Sequence, residues 1–451
     1  MCFSLEVGPR SRWYAIPGIA LLLLACCTTE TPASDETPAS EGNQARYLLG
    51  TEVGAYSGLT YESTTTPSVL VPEAGLYDDS VSPPLEVEGT DTGEPGVMYA
   101  AGLSGYFLIR VQQSDGSYKY EYRPDTGEFL WQDVIHRQIG PGYALTLLYE
   151  ELKRPEFARS AEWVFDYAVN RLVDAGDGAQ RITDIGATSI FVFGLSRLIR
   201  SEAPTESNWD PTLRALGQHL LDLQNEDGSF SQGSPLAQGQ AVQALAHLWL
   251  TYQEDLYLEA LTRAANYTCS TWETISPDTL PYFILYANEA LATLYNANGD
   301  TTLPECVYAM TEGNLQDQYL VSDTNDASWV GGFNKSSGWT PSWSAALKLE
   351  AIADAMDIAL QAGDAAQASM YEERLRLGLP FVMRFQWRIG ETEGWPKPET
   401  ILGGFPYLAP GSTGDLAWPL SRTDLAWHGI AFYVKAARML DEEHWPNNPH
   451  D

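Results

Sequence analysis

The chain has 451 residues, which is enough for a substantial buried core in one large domain or two small ones. It carries 60 acidic and 26 basic residues, a net charge of −34 at pH 7. Because the acidic residues are spread along the chain and no basic patch stands out, this charge disfavours nucleic acid and anionic lipid headgroups as partners and indicates a solvated acidic surface.

The first 25 residues have the features of a bacterial export signal. Arg10 and Arg12 precede the apolar run AIPGIALLLLA, which is too short to span a bilayer as a stable helix. The run ends in LLAC, with Cys26 last, and this resembles the lipobox of bacterial lipoproteins. The resemblance implies a signal peptide over residues 1–25, lipid on Cys26 and a place in the cell envelope, on the periplasmic or surface face. Cys27 favours the outer membrane; the alternative is an ordinary signal peptide.

The next segment is predicted to be a tether. Its sequence TTETPASDETPASEGNQ contains ETPAS twice and almost no large apolar residue, so it cannot bury enough surface to fold. We therefore expect a flexible tether over residues 26–45, which would hold the protein at a membrane surface without inserting it. An extended or irregular segment is expected over 46–96, and a folded body over 97–445.

From about residue 97 the apolar residues recur with helical spacing. The segments GYALTLLYEEL and GQAVQALAHLWLTY show the i, i+3, i+4 pattern of an amphipathic or buried helix. The pattern predicts twelve helices, at about 97–113, 137–152, 155–174, 184–201, 210–224, 236–253, 255–270, 279–297, 303–319, 341–361, 365–388 and 422–440.

Glycine turns divide these helices into pairs. QQSDGSY at 112–118 and QNEDGSF at 224–230 have the same form, and we expect them to occupy the same turn in two helical hairpins. Ser276-Pro277 replaces the glycine at one boundary. The glycines that mark the other boundaries, about 56 residues apart on average, are Gly116, Gly178, Gly228, Gly338 and Gly394.

Twelve helices in six hairpins predict an all-α fold, an (α/α)6 toroid. The alternating tyrosines before residue 123 predict a small β element in the first long loop. The pattern resembles the six-hairpin superfamily of glycosidases, polysaccharide lyases, sugar epimerases and terpene cyclases. The Gln…Gly-aromatic turn is similar to the repeat of the cyclases. LAQGQAVQALAHLW at 236–249 and RTDLAWH at 422–428 resemble the carboxy-terminal domain of glucuronyl 5-epimerases, the latter with different spacing.

In a closed ring the helices alternate between an outer and an inner wall, and all inner helices open on one face. Their amino ends present unpaired N–H groups there, which suits hydroxyl groups or anions. The first and sixth loops on this face are long and would be neighbours, so we expect a cleft between them. Aromatic residues of these loops would rim the cleft or, as an alternative, pack over the mouth as a lid: Tyr118, Tyr120, Tyr122, Trp131, Trp395, Phe405, Tyr407 and Trp418.

Polar residues at the starts of the inner helices are the candidates for chemistry. A carboxylate across a cleft from a second carboxylate suits glycoside hydrolysis, and a histidine beside a basic residue suits proton abstraction from a sugar carbon. The predicted catalytic residues are Asp424, His428, Asp184, Asp278 and His136. The predicted substrate-binding residues are Arg137, Arg422, Gln238, Trp131, Tyr120, Trp395, Tyr407 and Trp339.

Each of these residues also has a structural interpretation. An aspartate at a helix start can simply cap the helix by accepting a backbone N–H. Asp424 and His428 lie four residues apart, hence on one helix face, but His428 alone is also typical of a hydrogen-bonded core histidine. Cys269 and Cys306, the two cysteines of the folded body, could pair in an oxidising periplasm or remain separate buried thiols.

These features favour a lipid-anchored protein that acts on a poly- or oligosaccharide by hydrolysis, elimination or epimerisation. The alternatives are a non-catalytic glycan-binding or structural envelope lipoprotein, and a toroid that handles isoprenoids. A carbohydrate is the expected partner. No cofactor or metal is expected, because the sequence has no nucleotide-binding glycine loop and no zinc-binding His-Glu-x-x-His segment.

Overall fold

A computed structural model describes residues 96–440, except 124–125, 131–133, 175–179, 183, 338–343, 388–394, 396–397 and 407–420. The predicted signal peptide, the lipidation site Cys26, the tether and almost all of the segment 46–96 lie outside the described residues. Within the described part of the chain, no helix is both long and apolar enough to cross a membrane.

The described residues form twelve helices of 14 to 21 residues, close to the predicted positions. The largest difference is in the third, which ends at Val169 because the residues after it turn into a short strand. The helices are α1 Val97–Val111, α2 Ile135–Leu152, α3 Pro155–Val169, α4 Ile185–Arg200, α5 Asp210–Leu223, α6 Pro235–Tyr252, α7 Asp255–Thr271, α8 Leu280–Asn298, α9 Thr302–Asp317, α10 Ser344–Ala362, α11 Ala365–Phe385 and α12 Thr423–Met439.

The helices close into a two-walled ring, which confirms the predicted toroid. The even-numbered helices, α2 to α12, pack side by side as the inner wall, and α12 returns to contact α2. The odd-numbered helices form the outer wall, and α1 packs on α12. The inner helices are apolar nearly all round, as α4 illustrates with 14 of its 16 residues buried, because both of their faces are covered.

The two long loops that were predicted to be neighbours are joined by a small antiparallel sheet. The first loop contributes β1 Glu121–Arg123 and β2 Glu128–Leu130, and the sixth contributes β5 Ser421–Arg422, in the order β2-β1-β5. Tyr122 lies opposite Phe129 on one side and Ser421 on the other. The predicted β element is therefore present, and it ties the ends of the ring together. A second two-stranded sheet, β3 Val173–Asp174 with β4 Gln180–Arg181, lies between α3 and α4.

A third loop, the fifth on the mouth face, is also long. The connection from α9 to α10, residues 318–343, is longer than the first loop. It folds back on itself, with the Tyr319 N–H donating to Gly332 O at 2.8 Å and the Gly331 N–H donating to Tyr319 O at 2.9 Å. Three consecutive loops on the mouth face are therefore long, and the connections α5–α6 and α7–α8 are the short ones.

A repeated glutamine joins neighbouring outer helices. The Gln112 side chain, just after α1, donates to Ser160 O of α3 at 2.9 Å. Gln224 donates in the same way to Ala260 O at 2.8 Å. The same bond follows α9 and α11, where Gln318 and Gln386 donate to Arg374 O at 3.1 Å and to Ala100 O at 2.6 Å. The last of these bonds closes the outer wall between α11 and α1.

A glycine accompanies each of these glutamines, and we call the pair a Gln–Gly junction. Gly116 and Gly228 have φ of +86° and +91°, and a Cβ on either would lie 2.1 Å from a carbonyl oxygen of the next outer helix. Gly331 and Gly403 have the same geometry after α9 and α11. The sequence predicted Gly338 and Gly394 for these two turns; both lie outside the described residues, as does Gly178, and Gly331 and Gly403 hold the equivalent positions.

A disulfide bond joins the outer helices on either side of Ser276-Pro277, the turn that lacks a glycine. Cys269 near the end of α7 and Cys306 near the start of α9 form a disulfide, which resolves the alternatives left open by the sequence. The bond joins two neighbouring outer helices on either side of Ser276-Pro277. This junction of the outer wall is thus held by a different bond from the four Gln–Gly junctions.

Candidate functional site

Residues of three elements meet at the mouth of the toroid, where α12 begins. The Thr423 N–H donates to Tyr120 O at 3.0 Å, which places the first loop over the start of α12. The Tyr120 hydroxyl donates to Asp424 Oδ2 at 2.8 Å, and Arg422 donates to both carboxylate oxygens of Asp424, with Nε 2.9 Å from Oδ1. The guanidinium of Arg137, in α2, lies 4.9 Å from the Tyr120 ring centre. We call Tyr120, Arg137, Arg422 and Asp424 the mouth cluster.

The charges of the mouth cluster fix its protonation states. Burial alone would raise the pKa of Asp424, but the charge and hydrogen bonds of Arg422, helped by Arg137 and the Tyr120 hydroxyl, lower it to about 2. Burial, and then the charge of Asp424, raise the pKa of Tyr120 well above its usual value. At neutral pH Asp424 is therefore an anion and Tyr120 a hydrogen-bond donor.

His136 borders this cluster at the start of α2. Burial, and then the positive charge of Arg137 beside it, lower the pKa of His136 to about 3. At neutral pH the ring is an uncharged imidazole, so it can accept or donate a hydrogen bond but does not supply a positive charge.

Below the mouth, the inner helices send polar side chains onto the axis of the ring, and we call this set the axial network. Glu289 of α8 lies at its centre. Its carboxylate accepts hydrogen bonds from Gln243 at 2.8 Å and Tyr143 at 3.3 Å, and it contacts His247 Nε2 at 3.0 Å and Lys435 Nζ at 3.0 Å. Arg197 of α4 also approaches this carboxylate, to 3.9 Å. Side chains of four other inner helices, α2, α4, α6 and α12, therefore surround Glu289.

Lys435 of α12 connects this centre with two further carboxylates. Its Nζ lies 2.9 Å from Asp354 and 3.4 Å from Glu350, both on α10. Burial alone would lower the pKa of Lys435, but the charges of Asp354, Glu289 and Glu350 raise it well above its usual value. Burial raises the pKa of Asp354 well above its usual value, and Lys435 opposes this only in part. Three carboxyl groups therefore share one ammonium group, and Arg197 and His247 also contact the Glu289 carboxylate.

His428 belongs to the axial network and lies one helical turn after Asp424 of the mouth cluster. Its Nδ1 lies 3.1 Å from Glu350 Oε2, and the ring is 5 % exposed. Asp424, one helical turn earlier, faces Arg422 and Tyr120 instead. The two residues share a helix face as predicted, but each has its own charged partner, so they form two adjacent pairs.

The network is costly for a protein that only needs to fold. Buried ions lose hydration, and apolar side chains of similar volume often give equal or greater stability. Here the cost is reduced by pairing, because each carboxylate has a cation or hydrogen-bond donor within 3.4 Å. A buried group of ions at the centre of the ring is therefore a candidate functional site.

The sequence contains a signal for this network in the positions of its charged residues. Glu289, Glu350, Asp354 and Lys435 are charged residues in the interior of helices in which most residues are buried. A helix of this kind is buried on every side, so an ion in its middle must be buried and paired. The pattern predicts a polar interior, although the pairing partners cannot be read from it.

Several predicted site residues have structural partners. Asp184 accepts the Ala187 N–H at 2.7 Å, so it caps α4 as its structural interpretation proposed. Gln238 exchanges hydrogen bonds with the Phe230 backbone at 2.9 and 3.0 Å, which holds a turn. Asp278 is exposed in the turn before α8.

The aromatic residues that the structure describes pack over the mouth and do not form an open rim. Tyr118, Tyr120 and Tyr122 are each at most 1 % exposed, and Phe405 is 3 % exposed. These four rings are buried and not exposed at a rim, which agrees with the alternative that they pack as a lid. Trp395 is half-buried, with its ring centre 4.6 Å from that of Trp387. Trp131, Trp339, Tyr407 and Trp418 lie outside the described residues.

Metal ligation finds no support in the described residues. Among them, no group of three or more histidine, cysteine, aspartate or glutamate side chains is arranged to hold a metal ion. In the axial network, the place between three carboxylates is taken by the ammonium group of Lys435.

No family model and no curated protein sequence matches the chain. Several solved structures, by contrast, match its fold. An alpha-1,6-mannanase of Salegentibacter sp. HEL1_6 superposes with a TM-score of 0.56 at 10 % identity over 76 % of this chain and 100 % of its own. An unsaturated glucuronyl hydrolase specific for heparin gives 0.54 at 10 % identity, and a D-mannose isomerase gives 0.53 at 11 %; each covers 76 % of this chain and 97 % of its own. At such identities the likeness shows the fold, the α/α toroid, and leaves the function to the site.

Proposed function

We propose that the chain is a carbohydrate-active protein that binds a poly- or oligosaccharide at the mouth of the toroid and acts on it by hydrolysis, elimination or epimerisation. The observation that carries the proposal is that the mouth cluster, where α12 begins, lies above a buried axial network of charged side chains, and that His428 of this network is one helical turn from Asp424. A site with fixed charges, a neutral imidazole and a buried histidine–glutamate pair has the groups that sugar chemistry needs.

The structural neighbours support the same class of ligand. The mannanase has been solved as an inactive variant with alpha-1,6-mannotriose, and the names of the other two neighbours also refer to sugars. This support comes from shared architecture, and identities of 10–11 % do not transfer a substrate.

Glycan-array binding followed by product analysis of each bound glycan tests the proposal. We expect the wild-type protein to bind and convert at least one glycan, and His428→Asn to lose conversion. His219→Asn is the matched control, since His219 is 6 % exposed but lies on the outer helix α5. Absence of binding and conversion across the array would refute the proposal.

A non-catalytic glycan-binding protein is the second candidate, because Asp424 is held in an ion pair and the described tyrosines are packed. In that case a glycan would bind without any product, and His428→Asn would leave binding unchanged. The same array and product analysis therefore separate the two candidates.

Attachment to the envelope by lipid on Cys26 is a further part of the proposal. It is supported by the LLAC sequence and by the ETPAS tether that follows it. We expect Cys26→Ser to release the protein from the membrane fraction or to leave it uncleaved, as measured by fractionation and mass spectrometry of the amino terminus. A wild-type protein that is fully soluble and carries no lipid would contradict this.

A further inference from the structure

We propose that the face of the toroid opposite the mouth, where the inner helices end, carries a second binding site, which takes a single neutral sugar unit of a glycan. The inference rests on the proposed function for the class of ligand, but it concerns a different part of the molecule. A cavity of about 210 Å³ between the end of α4 and the start of α5 carries the argument.

The cavity is separate from the mouth. Its lining includes Leu198 and Ile199 in the last turn of α4, Trp209 just before α5 and Asp210 at the start of α5. Because α4 has 16 residues and begins at the mouth, its last turn lies roughly 20 Å from the mouth face. A sugar unit in this cavity therefore does not contact the mouth cluster.

The loop that forms the cavity is longer than a helical hairpin requires. Residues 201–209 join α4 to α5, whereas the other four described connections on this face, 153–154, 253–254, 299–301 and 363–364, have two or three residues each. The cavity is thus a product of extra chain at one hairpin and not of the toroid in general. The loop residues that line it, besides Trp209, are Ala203, Thr205, Ser207 and Asn208.

A buried carboxylate holds this loop in place. Glu162 of α3 is 5 % exposed, and its Oε1 accepts the backbone N–H groups of Glu206 at 2.8 Å and Ser207 at 2.9 Å. Within the loop, the Thr205 hydroxyl donates to Ser207 O at 3.2 Å. A buried carboxylate loses its hydration, so fixing a loop in this way is costly. In return, the lining side chains have a defined arrangement before a ligand binds, which favours affinity.

The lining side chains match a neutral polar ring. Leu198, Ile199 and Trp209 supply apolar surface, which suits the C–H face of a sugar. The hydroxyl and amide side chains of the loop supply short polar groups for sugar hydroxyls. Trp209 is 5 % exposed, and its indole N–H has no acceptor among the described residues, although a buried indole N–H usually has one. We expect a hydroxyl oxygen of the bound sugar to be that acceptor.

Charge and size disfavour other ligands. Of the described residues that line the cavity, none is basic and only Asp210 is acidic, and Asp210 pairs with Arg214 at 3.2 Å. Together with the net charge of −34, this disfavours an anionic ligand such as a uronic acid or a phosphate. The volume is below the roughly 300–1,000 Å³ of sites for drug-sized ligands, so the cavity fits one sugar unit and not several.

Ligand-observed NMR with the methyl glycosides of glucose, galactose and mannose tests the binding of single sugar units, and the methyl glycoside of glucuronic acid is the anionic comparison. We expect the wild-type protein to bind at least one neutral glycoside and not the glucuronide. Ala203→Trp fills the cavity and should abolish this binding. Leu256→Trp is the matched control and should bind as the wild-type protein does, because Leu256 is 44 % exposed near the start of α7, on the same face, and does not line the cavity.

Photoaffinity labelling locates the bound sugar without any substitution. A diazirine derivative of the bound methyl glycoside is irradiated with the wild-type protein, and the labelled peptides are identified by mass spectrometry. We expect label within residues 198–210, and we expect the unmodified glycoside to compete with it. This measurement decides the question even if thermal unfolding shows that Ala203→Trp does not fold.

The outcomes distinguish the second site from the proposed function. Sugar binding that persists in a folded Ala203→Trp variant, or label confined to peptides outside 198–210, would overturn the second site and leave a carbohydrate function at the mouth standing. Binding of the glucuronide alone, or of none of the methyl glycosides, would also overturn it. Label within 198–210 would support the second site even if the glycan array showed no conversion, which would count against the proposed enzyme alone.

Discussion

At the scale of single residues, Asp424 shows how burial changes the interpretation of a site residue. A residue at a helix start that faces an open cleft contributes little to stability, because it packs against few neighbours. In the structure the Asp424 side chain is 13 % exposed and binds Arg422, whose own side chain is 8 % exposed. Removal of one charge therefore leaves the other buried without its counterion, and such losses are among the larger effects of single substitutions.

We accordingly expect Asp424→Asn to lower the free energy of unfolding by about 3 kcal/mol. Urea unfolding of the two proteins measures this. Asp184→Asn is the control: Asp184 caps α4, and asparagine caps a helix about as well, so the change should stay below about 0.5 kcal/mol. Equal stability of Asp424→Asn and the wild-type protein would mean that Arg422 is paired with solvent, contrary to the structure.

At the scale of helices and turns, the Gln–Gly junctions explain why the same short sequence occurs more than once. A glutamine at the end of an outer helix binds a carbonyl of the next one, and the glycine lets the backbone approach that helix. The junction therefore joins neighbouring hairpins, whereas the apolar spacing determines the helices within each hairpin. QQSDGSY and QNEDGSF are two occurrences of it.

Gly228→Ala should destabilise the protein by more than about 2 kcal/mol, because it combines a left-handed backbone with a collision. The new Cβ would lie 2.1 Å from Arg263 O. Gly299→Ala is a matched control, with φ of +68° and no atom within 4 Å, and should cost only about 1 kcal/mol. Thermal and urea unfolding give both values. A cost for Gly228→Ala no larger than that for Gly299→Ala would contradict the role of the close approach.

Replacement of Cys269 and Cys306 by serine should lower the free energy of unfolding by about 3–4 kcal/mol, as expected for a bond that closes a loop of this length. The two residues are 37 apart in sequence and link α7 to α9 where no Gln–Gly junction is found in the described chain. Thermal unfolding with and without a reductant measures the effect. The reductant should lower the melting temperature of the wild-type protein and leave that of the double variant unchanged; any other pattern would mean that the bond does not support this junction.

At the scale of the whole molecule, the charge is the dominant property. With a net charge of −34, like charges on the surface repel one another in the compact state more than in the unfolded chain. Salt reduces this repulsion, because the screening length falls from roughly 30 Å at 0.01 M to roughly 3 Å at 1 M.

We therefore expect stability to rise with sodium chloride over this range, as measured by urea unfolding at each concentration. Potassium chloride is the control: it should have the same effect, since screening depends on ionic strength and not on the identity of the cation. Stability that falls with salt would indicate that ion pairs, including those of the axial network, outweigh the surface repulsion.

The helix pattern, the period of the turns and the two-walled ring follow from the sequence. These are properties of short segments: apolar spacing fixes the helices, and a turn needs glycine or proline wherever it occurs. The same local information left Cys269 and Cys306 unassigned, and it placed the turns after α9 and α11 at Gly338 and Gly394, where Gly331 and Gly403 carry the junction.

Only the tertiary structure decided which side chains meet on the axis. Glu350 and Lys435 are 85 residues apart, and His428 and Glu350 are 78 apart. The apolar sequence of each helix predicts that its charged residue is buried. The partner of that residue depends on how six helices are arranged around one axis, and the sequence of a single helix does not give this arrangement. For the same reason, the sequence placed Tyr118 and Tyr122 at the mouth but could not determine that both rings are buried and not exposed at a rim.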